Sequence, residues 1–369
     1  MKLTITREQI MNGLQAVQNV VGSRTTLPIL SNVLLRAEGN RLELTATDLD
    51  VTISCAVEAN VTQPGATTLP VKKIFGIVRE LTAAEIQLDV DEKNMCTVQS
   101  GPSYYKIHGL SADEFPPFPN FSENRKVTLS QEKVRSLLRK TSFAISNDET
   151  RFVLNGIFIS LKDHRVTMVA TDGRRLALAD EEVDLPDSSQ GECIVPTKAI
   201  NELTRLLQAS GDVELKFTDN QASFSLKSEK GLGVVIISKL IEGNYPNYKQ
   251  VIPGEAKERV ALAREELLHA LRRAEIMTSD KSNSVKLTFS KNNLAITANT
   301  PEVGEARESL AINYKGPDMA IAFNPIYLMD PLKALDNDEV YLELIDELSP
   351  GIVKINGPFL YVLMPMRVG

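Results

Sequence analysis

Strand-like alternation of apolar and polar residues recurs three times along the chain. Residues 41–47, 165–171 and 293–299 each place apolar side chains two positions apart. This period of two predicts strands with one buried face. The apolar positions are Leu42, Leu44 and Ala46, then Val166, Met168 and Ala170, then Leu294, Ile296 and Ala298. Each segment follows an apolar stretch and a polar turn, at 38–40, 162–164 or 291–293, so we predict three β-hairpins about 125 residues apart.

Two amphipathic helices accompany each hairpin, because apolar residues recur there at intervals of three and four. The first helices carry Ile10, Leu14, Val17 and Val21; Val134, Leu137 and Leu138; and Leu267, Leu268, Leu271 and Ala274. The second carry Ile74, Phe75, Val78 and Leu81; Ile200, Leu203 and Leu207; and Ile326, Met329, Leu332 and Leu335. We expect Pro196 at the first position of its helix and a kink at Pro331. Each third therefore reads strand, helix, several strands, helix, strands.

This repeat is too long for a solenoid, whose period is roughly 20–50 residues, and indicates three copies of one domain. Proline-rich or polar stretches at 115–126 and 253–258 separate the copies. We predict an α+β fold with domains at 1–125, 126–254 and 255–369.

Composition favours a cytoplasmic protein. Of the 369 residues, 43% are apolar, yet no apolar run is long enough for a bilayer span and the N-terminus alternates instead of forming a signal peptide. Three cysteines without a CxxC pair predict neither disulfides nor a zinc site.

The net charge of −7 is unevenly distributed. The six predicted helices together carry about +6, which leaves about −13 for the rest of the chain. A basic helical face on an acidic protein suits a polyanion held by its field rather than by base contacts. The alternative is that these are ordinary surface helices rich in Lys and Arg.

Catalytic motifs are not found in the sequence. It contains no phosphate-binding loop, nucleophile elbow or HExxH motif, and its histidines (His108, His164 and His269) are dispersed. Asp48, Asp50 and Asp172 are the candidates for a Mg²⁺-dependent nuclease or phosphatase. Asp48 and Asp172, however, follow equivalent strands, where Asp commonly accepts hydrogen bonds from its own turn, and we favour that role.

One constellation suggests a binding site. Residues 154–156, 171–176, 245–248 and 362–367 combine apolar side chains with a proline that prevents regular strand pairing. Methionines on such a segment can line an adaptable groove for short peptides. The alternative is that Met364 and Met366 simply complete a core strand.

These residues resemble a known family. The segments 26–32 (TLPILSN), 46–49 (ATDL), 170–176 (ATDGRRL) and 364–367 (MPMR) are similar, in order and spacing, to the bacterial DNA polymerase III beta subunits, the sliding clamps. The resemblance covers the whole chain, including its triplication.

The resemblance implies a head-to-tail homodimer whose six domains form a ring, with sheets outside and two helices per domain lining the inner face. Double-stranded DNA would pass through the ring independently of sequence. The implied protein is a non-catalytic processivity factor in the nucleoid-associated cytoplasm, without a cofactor or metal. Its implied partners are the DNA polymerase III alpha subunit, the delta subunit of the clamp loader, and other polymerases and repair proteins that bring short clamp-binding peptides. A DNA-independent scaffold that uses the peptide groove alone is the remaining alternative.

The resemblance also assigns residues. DNA contacts would be Arg24, Lys72, Asp148, Phe152 and Val153. The peptide pocket would comprise Leu154, Thr171, Gly173, Arg174, Arg175, Leu176, Pro246, Val251, Val362, Met364, Pro365, Met366 and Arg367. The dimer contact would join Lys73, Tyr105 and Ile107 to Ile276 and Met277 of the next subunit, whose apolar side chains would otherwise be exposed. The chain departs from the family pattern at Asp148, Val153, Gln250 and Val368-Gly369.

Overall fold

The computed structural model describes residues 1–22, 27–119, 121, 125–186, 189–227, 232–279, 283–301 and 303–367. The first repeat contains β1 (Lys2–Thr6), α1 (Arg7–Val17), β2 (Asn32–Glu38), β3 (Arg41–Thr47), β4 (Val51–Glu58), β5 (Asn60–Gln63), β6 (Gly65–Pro70), α2 (Val71–Glu80), β7 (Glu85–Val90), β8 (Met95–Ser100) and β9 (Ser103–His108). The second contains β10 (Lys126–Ser130), α3 (Gln131–Thr141), β11 (Gly156–Lys162), β12 (Arg165–Thr171), β13 (Arg175–Glu182), β14 (Gly191–Pro196), α4 (Thr197–Leu206), β15 (Asp212–Phe217), β16 (Gln221–Lys227) and β17 (Val234–Lys239). The third contains β18 (Glu258–Ala263), α5 (Arg264–Glu275), β19 (Val285–Ser290), β20 (Asn293–Thr300), β21 (Gly304–Ala311), β22 (Met319–Phe323), α6 (Pro325–Ala334), β23 (Glu339–Leu344), β24 (Gly351–Lys354) and β25 (Phe359–Leu363). The predicted element order is confirmed in all three.

The three predicted hairpins are present as β2–β3, β11–β12 and β19–β20, all antiparallel. Their predicted apolar faces are buried in every case. In the second hairpin, Asp163 and His164 both have positive φ, which gives the mirror-image turn that matches the twist of paired strands.

The chain forms two compact units, and the residues of the central repeat are divided between them. The first unit comprises Met1–Arg135 and Pro186–Leu240, and the second comprises Ser136–Leu185 and Ile241–Gly369. In the first unit, one sheet has the order β5-β1-β7-β8-β9 and another the order β10-β15-β16-β17-β4-β3-β2-β6. In the second unit, one sheet runs β11-β12-β13-β25-β24-β23-β18 and another β21-β20-β19-β22. The repeats thus share sheets, because β17 of the second pairs with β4 of the first, and β25 of the third pairs with β13 of the second.

Several helix boundaries differ from prediction. Pro196 is the N-cap of α4 rather than its first residue, and Val21, Leu81 and Leu207 lie just beyond their helices. Helix α6 continues across Pro331, where we expected a kink. Pro331 cannot donate a hydrogen bond to the carbonyl of Tyr327, and the hydroxyl of Tyr361 donates to that carbonyl instead, at 2.8 Å.

In each repeat an arginine of the first helix donates to carbonyls at the end of the second helix. Arg7 donates to Val78 at 3.1 Å and Arg79 at 2.6 Å, Arg135 donates to Leu207, and Arg264 donates to Leu332 at 2.9 Å and Asn337 at 2.7 Å. The last carbonyls of a helix lack partners within the helix and carry partial negative charge. These arginines therefore join the two helices of each repeat, and part of the counted helical charge is structural.

Within the described residues, no helix has the length and hydrophobicity required of a membrane span.

Candidate peptide-binding site

The end of β25 leaves its sheet at the proline that the sequence singled out. The last residues of β25 pair with β13 in the register Leu176↔Val362 and Arg175↔Leu363. Beyond the strand, the backbone N–H of Met364 donates to the Arg174 carbonyl at 3.0 Å. The N–H of Met366 instead donates to Ala322 of β22 at 2.7 Å, in the other sheet of the same unit. The chain end therefore bridges two sheets.

The two methionines are accessible. Met364 is 47% exposed and Met366 is 38% exposed. The alternative prediction, that they complete a core strand, is wrong, because Pro365 has no N–H and the strand ends at Leu363. Beneath them, Leu176 and Val362 are buried and lie directly opposite each other. Since alternate residues of a strand share a face, Val362 and Leu176 lie on the face that Met364 continues.

Arg175 lies on the opposite face. Its side chain is only 10% exposed. The guanidinium pairs with Asp172 at 3.0 Å and Asp330 at 2.5 Å, and its centre lies 4.2 Å from the ring centroid of Tyr327. Burial opposes the charged form, but interactions with Tyr361 and Asp330 raise the pKa of Arg175 above its ordinary value. In this structure Arg175 supports the turn from the face opposite Met364, and its expected place in the peptide pocket stays a prediction.

The turn before β13 is held by its own polar side chains. The Asp172 carboxylate accepts from the N–H groups of Arg174 at 2.9 Å and Arg175 at 3.1 Å, and the Thr171 hydroxyl donates to the Arg175 carbonyl at 2.6 Å. Gly173 has a φ of +85°, which favours glycine. This geometry exposes Gly173 and Arg174 beside Met364.

The first repeat contains the same turn. The carboxylate of Asp48 accepts from the N–H groups of Asp50 and Val51, at 3.1 and 2.8 Å. The predicted structural role of Asp48 and Asp172 is confirmed. Among the described residues, no group of three or more His, Cys, Asp or Glu is arranged to hold a metal ion.

The segment around Pro246 forms a further wall. The ring of Phe158 in β11 stacks on Tyr245, with centroids 5.0 Å apart, and lies 6.0 Å from the ring of Tyr248. Burial raises the pKa of Tyr245. Pro246 and Val251 are exposed on this segment, whereas Leu154 is buried.

Leu348 is a residue that the sequence analysis missed. It is 80% exposed, in a turn where the Asp346 carboxylate accepts from the N–H groups of Leu348 at 2.9 Å and Ser349 at 2.7 Å. Glu347 accepts from the N–H of Ala320 at 3.2 Å, two residues along β22 from the carbonyl that binds Met366. Gly351 is also paired with Leu363. The turn and the methionine segment are therefore neighbours. In the sequence, the exposure of Leu348 is indicated only by its place between the polar residues Glu347 and Ser349.

The residues expected to contact DNA differ in exposure and in charge. Arg24 lies outside the described residues, and Lys72 is exposed in the first turn of α2. Phe152 is exposed and Val153 is half-buried. Hydrogen bonds from the Thr150 hydroxyl and N–H lower the pKa of Asp148, so its carboxylate is charged and opposes phosphate binding.

The expected dimer residues lie on the edge strand β9, on helix α2 and directly after helix α5. Tyr105 is exposed on β9, whereas Ile107 is buried within its own unit. Ile276 is 73% exposed directly after α5, and Met277 beside it is half-buried. Lys73 is exposed on α2.

Comparison with known proteins identifies the family. Three models of the DNA polymerase III beta subunit match the chain, the N-terminal domain at residues 1–119, the central domain at 128–247 and the C-terminal domain at 249–367. The beta sliding clamp of Chlamydia muridarum is 36% identical over all of this chain and 99% of its own length, and that of Proteus mirabilis is 36% identical over the full length of both. The crystal structure of a sliding clamp from Bartonella birtlesii bound to griselimycin is 36% identical, covers both chains fully and has a TM-score of 0.94. The chain therefore belongs to the DNA polymerase III beta subunit family, the beta sliding clamps.

Proposed function

We propose that two copies of this chain close head to tail into a ring that encircles duplex DNA and keeps the replicative polymerase on it. The observation that carries the proposal is full-length membership of the sliding clamp family, with three clamp-type domains in one chain. Identical subunits that bind head to tail form a closed ring when the rotation between them closes. Such a ring acts by enclosure, as a non-catalytic processivity factor in the cytoplasm, on nucleoid DNA.

We assign the subunit contact to two edge strands. β9 ends one sheet of the first unit and β21 ends one sheet of the second, so both present unpaired backbone groups to another chain. Exposed Lys106 on β9 and exposed Glu305 on β21 would form one opposite-charge pair across this contact. Ile276 would cover Tyr105 or its neighbours, whereas Ile107 would contribute backbone alone.

We assign DNA binding to helix cations that lack an ion pair. Within the described residues, Lys72, Lys140 and Arg272 form no ion pair. Contacts of this kind bind phosphate without reading sequence. Arg24 and Phe152 join this set by family resemblance.

We assign the surface around Met364 to partner peptides. Exposed methionines above the buried pair Leu176 and Val362 offer an adaptable apolar surface, which Arg174 and Arg367 border with positive charge. The partners would be the DNA polymerase III alpha subunit, the delta subunit of the clamp loader, and other polymerases and repair proteins.

The test is retention on DNA. A ring loaded onto nicked circular DNA should remain bound at salt concentrations that remove proteins held by phosphate contacts, and should dissociate when the circle is cut. A clamp opened by Ile276→Asp, made to prevent dimer closure, is the matched control and should not be retained. Retention that is unchanged after linearisation would contradict encirclement. Unchanged polymerase processivity with a loaded clamp would favour the scaffold alternative.

A further inference from the structure

The outer face of hairpin β2–β3 carries a groove that the proposed function does not use. A cavity of about 250 Å³ lies between this face and the proline-rich segment that follows β9. Leu34, Arg36, Glu43 and Thr45 form one wall, and Ala112, Phe115, Pro116, Pro117 and Phe118 form the other. All of these residues belong to the first unit. Phe118 is half exposed at the rim.

The equivalent position in the second repeat is filled by an aromatic side chain. Leu34 pairs with Thr45 across the first hairpin, and Phe158 pairs with Val169 at the equivalent place in the second. There the Phe158 ring fills the space under Tyr245 and Tyr248. In the first repeat, the smaller Leu34 leaves that space open beneath two phenylalanines. A group that fills the cavity over Leu34 would therefore have the shape of an aromatic ring.

Arg36 supplies a charge at the edge of the cavity. It also borders a second concavity of about 480 Å³, which extends past Gly39 to Pro64. Glu43 lies directly opposite Arg36, but its carboxylate accepts a hydrogen bond from the Ser54 hydroxyl at 3.0 Å. Arg36 is exposed and forms no ion pair with any residue that the structure describes. Its guanidinium is available to bind a carboxylate with two parallel hydrogen bonds.

We propose that this groove binds an extended peptide segment in which an aromatic side chain adjoins a carboxylate. The ring enters the cavity over Leu34, against Phe115 and Pro117, and the carboxylate pairs with Arg36. The groove shares no residue with the surface around Met364. One subunit can therefore hold a second peptide partner, and this holds whether or not the ring function is correct.

The probe is acetyl-Asp-Phe-amide, titrated into the full-length protein and followed by the methyl NMR signals of Ala112 and Thr45. Acetyl-Lys-Phe-amide and acetyl-Asp-Ala-amide are its matched comparisons. We expect Asp-Phe to bind at least tenfold more tightly than either, because only Asp-Phe supplies both groups. Leu34→Phe, which installs the residue of the second repeat, should fill the cavity and abolish binding. Arg36→Glu should reverse the preference between Asp-Phe and Lys-Phe.

Met364→Ala is the control and should leave Asp-Phe binding unchanged. Arg36→Glu alters an exposed residue, so the test does not depend on Leu34→Phe folding normally. The proposal is overturned if Asp-Phe moves neither methyl signal, or if Asp-Ala binds equally well. Tighter binding of Lys-Phe to the unmodified protein would assign recognition to Glu43 and also overturn it.

Discussion

Replacing Arg264 by Met tests whether the arginine between α5 and α6 is structural. The guanidinium donates to the carbonyls of Leu332 at 2.9 Å and Asn337 at 2.7 Å, and its side chain is 14% exposed. Net hydrogen bonds from a charged donor contribute about 1.5–3 kcal/mol each. The exposed ion pair with Glu265 adds about 0–1 kcal/mol. Because these contributions are not fully additive, we expect the free energy of unfolding to fall by about 3 kcal/mol.

The matched control is Arg272→Met on the same helix. Arg272 is exposed and forms no ion pair within the described residues, so its replacement should change stability by about 0.5 kcal/mol or less. The assay is native-state hydrogen exchange at the amide of Leu335, which donates to Pro331 at the end of α6. A loss of about 3 kcal/mol corresponds to roughly hundredfold faster exchange, since about 1.4 kcal/mol is a factor of ten. Equal exchange in the two variants would refute the structural role.

Three further changes test the site. Met364→Ala should weaken binding of a clamp-binding peptide by about 1–3 kcal/mol in calorimetric titration while the dimer stays intact, and unchanged affinity would remove Met364 from the pocket. Gly173→Ala should lower the free energy of unfolding, measured by urea denaturation, by about 1–2 kcal/mol, because its φ is +85°; Leu49→Ala, where a side chain already adopts a φ of +78°, is the control and should change it by less than about 1 kcal/mol. Hydrogen bonds from Ser349 and Leu348 lower the pKa of Asp346 below its ordinary 3.8, so exchange protection of the Ser349 amide should be complete at neutral pH and lost only when pH falls below 3.8; loss near pH 6 would contradict this.

The repeated fold could be predicted because its signals are local. Alternation with a period of two identified the three hairpins, and intervals of three and four identified the six helices. The turn role of Asp48 and Asp172 was also predictable, since it needs only neighbouring N–H groups. These elements depend on residues close together in sequence.

The features that the sequence could not give depend on distant contacts. Arg175 follows Arg174 directly, and the sequence does not tell which of the two is buried, because the ion-pair partner of Arg175, Asp330, lies 155 residues away. The charge count on the helices could not show that Arg264 donates hydrogen bonds to carbonyl groups more than 60 residues further along the chain. The sequence also does not show that the Ile107 side chain is buried within its own unit, because the residues that cover it lie elsewhere in the chain.

At the two shared-sheet junctions the backbone hydrogen bonds are alike and the side chains differ. In the second unit, the Met364 N–H donates to the Arg174 carbonyl at 3.0 Å; in the first unit, the Lys239 N–H donates to the equivalent Asp50 carbonyl at 2.9 Å. The Lys239 ammonium then pairs with the Asp50 carboxylate at 3.0 Å, where the second unit has an exposed methionine. An ion pair at that place offers no adaptable apolar surface to a peptide. The same triplicated backbone therefore builds a methionine-lined surface at one junction and a charged one at the other.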